Sequence, residues 1–305
     1  MHAAAQMHVP VESVDEALAL AARARVDGYV AVGGGSATGL AKAMALRVDL
    51  PYVALPSTYA GSEMTPIWGI SENGEKRTGS DERVLPRVVV YDPELTCTLP
   101  LPVSEASGLN AIAHAVEALY APDRSPLVSL LATEGIRALS GALPAIAESP
   151  SDLIARSRAM YGSWLCGICL GATTMSLHHQ LCHILGGSFG LPHAQTHAVV
   201  LPYVVAFNDA AAPEALSALV TALGEDEPAA ALQSLGRNLA GASALQALGL
   251  RRQDVDTLVD LALQKPYANP RVVSGETLRQ LLLAAWKGAP VDPRRPGRPQ
   301  TPASA

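Results

Sequence analysis

Five of the eight histidines, His178, His179, His183, His193 and His197, fall inside one twenty-residue window of the chain. Imidazole titrates near neutrality, so it serves as general acid, oxyanion donor or metal ligand. His179 and His183 are four residues apart and share a face if that stretch is helical, and the same spacing joins Asn110 to His114 in NAIAHAVEAL. Two such faces brought together would make a polar pocket in an otherwise apolar core. Any one of these histidines taken alone reads equally as a satisfied or exposed side chain.

Two further segments bear on anion binding. Gly33, Gly34, Gly35 and Ser36 follow the apolar run YVAV and precede a helical period. Glycines there let backbone approach a phosphate, and a helix N-terminus offers open N–H groups and a partial positive charge. A tight strand-to-helix turn asks for the same residues, and the segment is neither a GxGxxG nor a phosphate-loop lysine pattern. Further on, LPSTYAGSEMT (Leu55 to Thr65) sets Ser57, Thr58 and Ser62 just beyond a strand, where the loops of an open α/β sheet face the ligand crevice. These hydroxyls read as contacts to a pyrophosphate or nicotinamide amide, or as solvated turn residues.

The four cysteines are Cys97, Cys166, Cys169 and Cys182, and the CxxC of WLCGICLGA has neither a thioredoxin-like turn nor a charge beside it. Cys166 and Cys169 are therefore expected as small core residues of a buried helix rather than as a redox pair.

The elements that must position these groups change character along the chain. VESVDEALALAARARVDG and ATGLAKAMALRV carry helical periods, YVAVGGGS, PYVALPST and RVVVYDP read as short strands, and the stretch before RVVVYDP reads as a polar loop. This alternation predicts an α/β nucleotide-binding domain with a parallel sheet over residues 1–100. From Leu101 the Ala- and Leu-rich segments predict an all-helical domain over 101–289. The Pro-rich, charged stretch 290–305 is expected to be a disordered tail.

With 305 residues, 49% of them hydrophobic and 16% charged, the chain can bury cores for two domains. Its formal net charge of −6 leaves no basic surplus for a row of phosphates, so nucleic acid is not an expected partner. No apolar run approaches the roughly 20 residues that span a bilayer. The start, MHAAAQMHVP, lacks the basic and apolar regions of a signal peptide, and the chain is expected to be cytoplasmic, with no membrane partner.

GGGSATGLAK, LPSTYAGSEMT, VVVYDPELTCTLP, SGLNAIAHAVEALY, HHQLCHILGGSFGLPHAQTHAVVLPYVVAFN and YANPRVV occur in the order in which iron-containing alcohol dehydrogenases carry their counterparts. Over nearly its whole length the chain resembles that superfamily. NAIAHAVEALYAP, STYAGSEMT and TGSDERVLPR (Thr78 to Arg87) are similar to its maleylacetate reductase branch. The resemblance implies a dehydroquinate synthase-like fold and an NADH or NADPH site at Gly33, Gly34, Gly35, Ser36, Ser57, Thr58 and Ser62. It also implies that the first strand and crossover of those proteins precede the present start, so the sheet is expected to be incomplete there.

Superfamily metal sites use an aspartate and a histidine four apart plus two histidines downstream. The matching positions here are Asn110, His114, His179 and His193, with His183 implied beside the nicotinamide, and these five are the expected catalytic residues. An amide replaces the carboxylate, so divalent metal is expected to be absent; if one is bound, His114, His179 and His193 are the expected ligands. The implied activity is reduction of a small dicarboxylate, maleylacetate, to 3-oxoadipate in aromatic-compound breakdown, by a homodimer. Two alternatives stand beside it: a metal-dependent dehydrogenase of small alcohols or aldehydes, and a catalytically silent oligomeric protein.

Overall fold

The first helical period closes as α1 (Val11–Ala24), which buries Val14 and Ala17 and stops where Arg25 turns left-handed at φ 49°. In the computed structural model, residues 1–72, 75–241, 243–264 and 266–291 are described. They belong to two compact units, Met1–Ser176 and Leu177–Ala305.

In the first unit, β1 (Tyr29–Gly33) pairs in parallel with β2 (Tyr52–Pro56), and β2 with β5 (Val88–Val89), in the order β1-β2-β5. The crossover from β1 to β2 is α2 (Gly35–Ala45). Small side chains let it lie close: Ala41 and Ala45 pack on Tyr52 and Ala54, with Tyr29 and Ala31 beside them. Alternation along β1 then turns Val30 and Val32 the other way, where they remain 62% and 57% exposed.

The stretch read as a polar loop is instead an antiparallel hairpin, β3 (Ile67–Glu72) with β4 (Glu75–Ser80), registered from Ile67 opposite Ser80 to Glu72 opposite Glu75. Its described side chains are partly or wholly exposed, so no apolar alternation marks it in the sequence.

Three helices complete the unit: α3 (Leu101–Ala118), α4 (Pro126–Glu148) and α5 (Leu153–Ala172). Ser125 and Asp152 cap the last two, accepting from Val128 N and from Ile154 N and Ala155 N respectively. A Cβ on Gly135 would meet Cys166 Sγ at 2.8 Å, so α4 and α5 touch nearly backbone to side chain. Cys166 and Cys169 are both fully buried free thiols, and burial raises both pKa values, that of Cys169 to about 12. The change from strands to helices falls at Leu101, while the compact unit runs on to Ser176.

The second unit holds α6 (Leu177–Phe189), α7 (His193–Asn208), α8 (Pro213–Leu223), α9 (Pro228–Ala240), α10 (Asp254–Leu263) and α11 (Gly275–Lys287). Leu181, Leu185, Val200, Val204, Leu258 and Leu282 are among its core. After α6 the chain reverses at Gly190, φ 67°, with Leu191 N donating to Leu185 O and Gly190 N to Gly186 O. YANPRVV pins the end of α7: Asn208 and Asn269 exchange amide hydrogen bonds at 3.0 and 2.8 Å, and Arg271 donates to Phe207 O while lying 4.3 Å over its ring. Val291 N donates to Gln233 Oε1 on α9. The rest of the expected tail, 292–305, lies outside the described residues.

Candidate active site

At the end of β1, Gly33 takes φ 145° and Gly34 caps α2 without a side-chain hydrogen bond. No acidic residue sits in the first turn of α2, so the partial positive charge of its open N–H groups is uncompensated. A Cβ on Gly35 would meet nothing within 4 Å, so the backbone there opens onto space. Gly34 is glycine for another reason: a Cβ would stand 2.7 Å from Thr58 Cγ2. Ser57 N donates to Gly33 O at 3.0 Å. The structure therefore brings Gly33, Gly34, Gly35 and Ser36 together with Ser57 and Thr58, as an uncapped backbone cradle of the kind that accepts an anion.

Ser62 opens a 3₁₀ turn, Ser62–Met64, whose backbone is fastened to α2 by Lys42. Lys42 is 2% exposed, and the three N–H groups of its Nζ are shared among four acceptors, Ser62 O at 2.5 Å, Thr65 O at 2.7 Å, Thr65 Oγ1 at 2.9 Å and Ile67 O at 2.8 Å. Burial pulls its pKa down to about 8, with the Glu63 carboxylate working the other way. Glu63 is buried and accepts from Tyr91 Oη at 2.8 Å. Its pKa is raised by burial, against the hydrogen bonds it accepts and the charge of Lys42. Gly61, at φ 75°, lies on α5: a Cβ on Gly167 would be 2.5 Å from Gly61 O. Arg156, fully buried, completes the anchorage by donating to Tyr59 Oη at 3.0 Å and Ser104 Oγ at 2.9 Å.

On α3, Asn110, His114 and Glu117 follow the i, i+4, i+7 spacing of one helix face. His114 is 6% exposed and Glu117 fully buried, with Glu117 Oε2 accepting from Ser176 N at 2.8 Å. Asn110 Oδ1 is buried and accepts no hydrogen bond from the described residues.

In the second unit, α6 and α7 gather five imidazoles. His183 and His193 are exposed, with ring centroids 6.2 Å apart and 27° between planes. His179 is buried, 6.3 Å from His183 and 5.2 Å from His197. His178 Nε2 hydrogen-bonds His197 Nδ1 at 3.0 Å, and His197 Nε2 hydrogen-bonds His193 Nε2 at 3.1 Å. Cys182 Sγ lies 3.7 Å from His178 Nε2. His178, Cys182 and His197 thus offer three buried ligand atoms within 4.8 Å of one another. The 3.0 Å contact is of hydrogen-bond length, in which the lone pair of one ring meets the N–H of the other instead of converging with it on a common ion.

Among the expected residues, Asn110 and His114 stand together in the first unit, and His179, His183 and His193 in the second. Sequence alone gives His178, His197 and Cys182 no separate role, although His178 to Cys182 and His193 to His197 each repeat the four-residue spacing. It passes over Lys42 and Glu63 as well, which nothing but burial distinguishes.

An uncapped glycine turn on a parallel sheet, followed by helices rich in buried histidine, is the plan of a nicotinamide-dependent oxidoreductase. Residues 1–93 match the family model for iron-containing alcohol dehydrogenase, and residues 104–286 that for the C-terminal region of the Fe-containing alcohol dehydrogenase family. The chain belongs to the iron-containing alcohol dehydrogenase family. Within it, the chain is 52% identical over 286 residues to the maleylacetate reductase of Pseudomonas knackmussii, covering 94% of this chain and 81% of that protein. It superposes on the crystal structure of maleylacetate reductase from Rhizobium sp. strain MTP-10005 with a TM-score of 0.91 at 49% identity, over 94% of this chain and 81% of the other. A putative alcohol dehydrogenase from Ralstonia eutropha JMP134 gives a TM-score of 0.90 at 54% identity, over 94% of this chain and 82% of that chain. No described helix is long and apolar enough to cross a membrane.

Proposed function

We propose that the chain reduces maleylacetate to 3-oxoadipate with NADH or NADPH, in the cytoplasm and as a homodimer. The observation that carries this reading is the 52% identity to maleylacetate reductase over 94% of the chain. Residues 1–100 would hold the dinucleotide at Gly33, Gly34, Gly35, Ser36, Ser57, Thr58 and Ser62. Residues 101–289 would supply the reacting groups.

The nicotinamide, when bound, supplies the hydride, which adds to the alkene carbon beta to the ketone of the substrate. Charge then develops on the ketone oxygen. Asn110, His114, His179 and His193 are assigned to hold that oxygen, the imidazoles as donors, and a protonated imidazole would return a proton to the carbon next to the ketone. His183, exposed beside His193, is assigned to the nicotinamide side. Iron, which the family name implies, does not fit the donor set well: Asn110, His114, His179 and His193 are all neutral ligands, and the Nε2 of His193 is engaged by His197. No step is assigned to a metal.

The test is oxidation of NADH followed spectrophotometrically with maleylacetate, beside a series of small aldehydes. Turnover of maleylacetate that withstands chelation is expected. Turnover of aldehydes alone, restored by added iron or zinc, would assign the chain to a metal-dependent alcohol dehydrogenase instead.

A further inference from the structure

We propose that Lys42 is a positioning residue for the dinucleotide: from the interior it holds the turn of Ser62 in register with the glycine cradle, and affinity for NADH or NADPH depends on it although it touches neither. This rests on the assignment of the glycine turn and Ser62 to the cofactor.

The two halves of that site come from different parts of the chain. Gly34, Gly35 and Ser36 open α2, whereas Ser62 begins a separate 3₁₀ turn. The turn is closed by Met64 N donating to Gly61 O at 3.1 Å and Thr65 N to Ser62 O at 3.2 Å. Lys42 stands on α2 about two turns beyond the cradle, so its backbone moves with the glycines. Its ammonium leaves that helix for the carbonyls of Ser62, Thr65 and Ile67 and the hydroxyl of Thr65, which run through the turn and into β3. Thr65 Oγ1 in turn donates to Ser62 O at 3.1 Å. Glu63, buried, accepts from Tyr91 Oη at 2.8 Å, and Tyr91 lies just past β5. The turn is thus clamped on two sides, and Lys42 is the clamp that shares an element with the cradle.

A site built from two segments binds at the cost of ordering one against the other, and a site fixed beforehand avoids that cost. Without the ammonium, three buried carbonyls lack a donor and regain one only by turning towards water, which carries Ser62 away from the glycines. Cofactor binding then weakens ahead of the chemistry, because no residue assigned to the substrate lies on α2 or in the turn.

Titration with NADH and with NADPH, followed by nucleotide fluorescence, tests this in wild type, Lys42→Met and Met44→Ala at a temperature where circular dichroism shows all three folded. Met44 is on the same helix but packs with Val14, Leu40 and Ala43, so its truncation loosens α2 without touching the turn. The Kd of the preferred dinucleotide should rise about tenfold or more in Lys42→Met and stay within about twofold in Met44→Ala. With maleylacetate, KM for the dinucleotide should follow that Kd while kcat at saturation stays within about threefold. Thr65→Val, of the same shape, removes the hydroxyl from this fastening and should weaken binding in the same direction. An unchanged Kd in Lys42→Met, or an equal rise in Met44→Ala, overturns the proposal and leaves Lys42 a prop of the fold. Should Lys42→Met fail to fold, Thr65→Val decides, and unchanged affinity there overturns it. Wild type that binds neither dinucleotide overturns both the proposal and the functional reading. The expected shift in Kd, in a protein that does not turn over maleylacetate, would overturn that reading alone and leave the positioning role standing.

Discussion

In the assignment proposed above, Asn110 sets an amide where the resemblance implies a carboxylate, and the missing charge bears on metal affinity. On the proposed assignment, three imidazoles and an amide would hold a divalent cation with no negative ligand to offset its charge, so affinity is expected to be lower than with a carboxylate in the set. The as-purified protein is expected to carry well under one equivalent of iron or zinc, and chelators should leave its activity in place. Asn110→Asp should raise metal affinity, by about tenfold or more if an anionic oxygen recovers the strength of a usual ligand. Metal analysis of both proteins before and after dialysis against a chelator is the measurement. Stoichiometric metal in the wild type, lost together with activity, would contradict it. The histidine cluster itself is legible in the sequence, because spacing alone puts His179 with His183 on one face. Which ring nitrogens meet is not, since the bonds from His178 to His197 and from His197 to His193 depend on how α6 and α7 pack.

Elements built on apolar period are legible in kind: α1, β1, α2 and β2 each coincide with a segment of clear pattern, bounded by Gly or Pro. The hairpin of β3 and β4 is not, because its exposed residues include Glu72, Glu75, Arg77 and Ser80, a composition with no buried face to declare a strand. Lys42 escapes notice for the opposite reason, being a charged residue in a core position. It binds α2 to the turn at Ser62 and to the start of β3, with three carbonyl oxygens, of Ser62, Thr65 and Ile67, in reach of its N–H groups. Lys42→Met should destabilise the protein by about 2 kcal/mol or more, since buried carbonyls lose their donors. The pH dependence has a definite sign. Folding lowers this pKa from 10.5 to about 8, chiefly by burial, so between those values the unfolded chain keeps a proton that the folded chain has released. The contribution of Lys42 to stability therefore falls as pH drops from 10.5 to about 8, because the unfolded chain binds more protons there, and below about 8 the cost of burying the ammonium is carried in full. In urea melts the difference between wild type and Lys42→Met should shift in favour of wild type from pH 8 towards 10.5. A shift the other way would mean the ammonium is favoured by its four acceptors beyond the cost of burial.

On the scale of the molecule, the sheet of the first unit is covered on one face only at β1. Val30 and Val32 stand in solvent, as does Val88 on β5, where parallel sheets ordinarily carry helices on both faces. Such a patch should bind the dye ANS, and replacing Val30 and Val32 together by threonine should reduce that fluorescence without lowering helix content. Equal dye binding by the two proteins would place the apolar surface elsewhere. The contact between Gly61 and Gly167 bears on timing instead, for there the turn carrying the cradle's hydroxyls lies on the backbone of α5 with no side chain between. A turn held by flexible side chains can lift and close many times while the helices beneath it stay intact, and its amides then exchange with solvent early. A turn seated directly on a helix has no such private motion. The amides of residues 57–62 are accordingly tied to the opening of α5, and in deuterium they should be counted among the slow ones, a loop keeping the time of the helix below it.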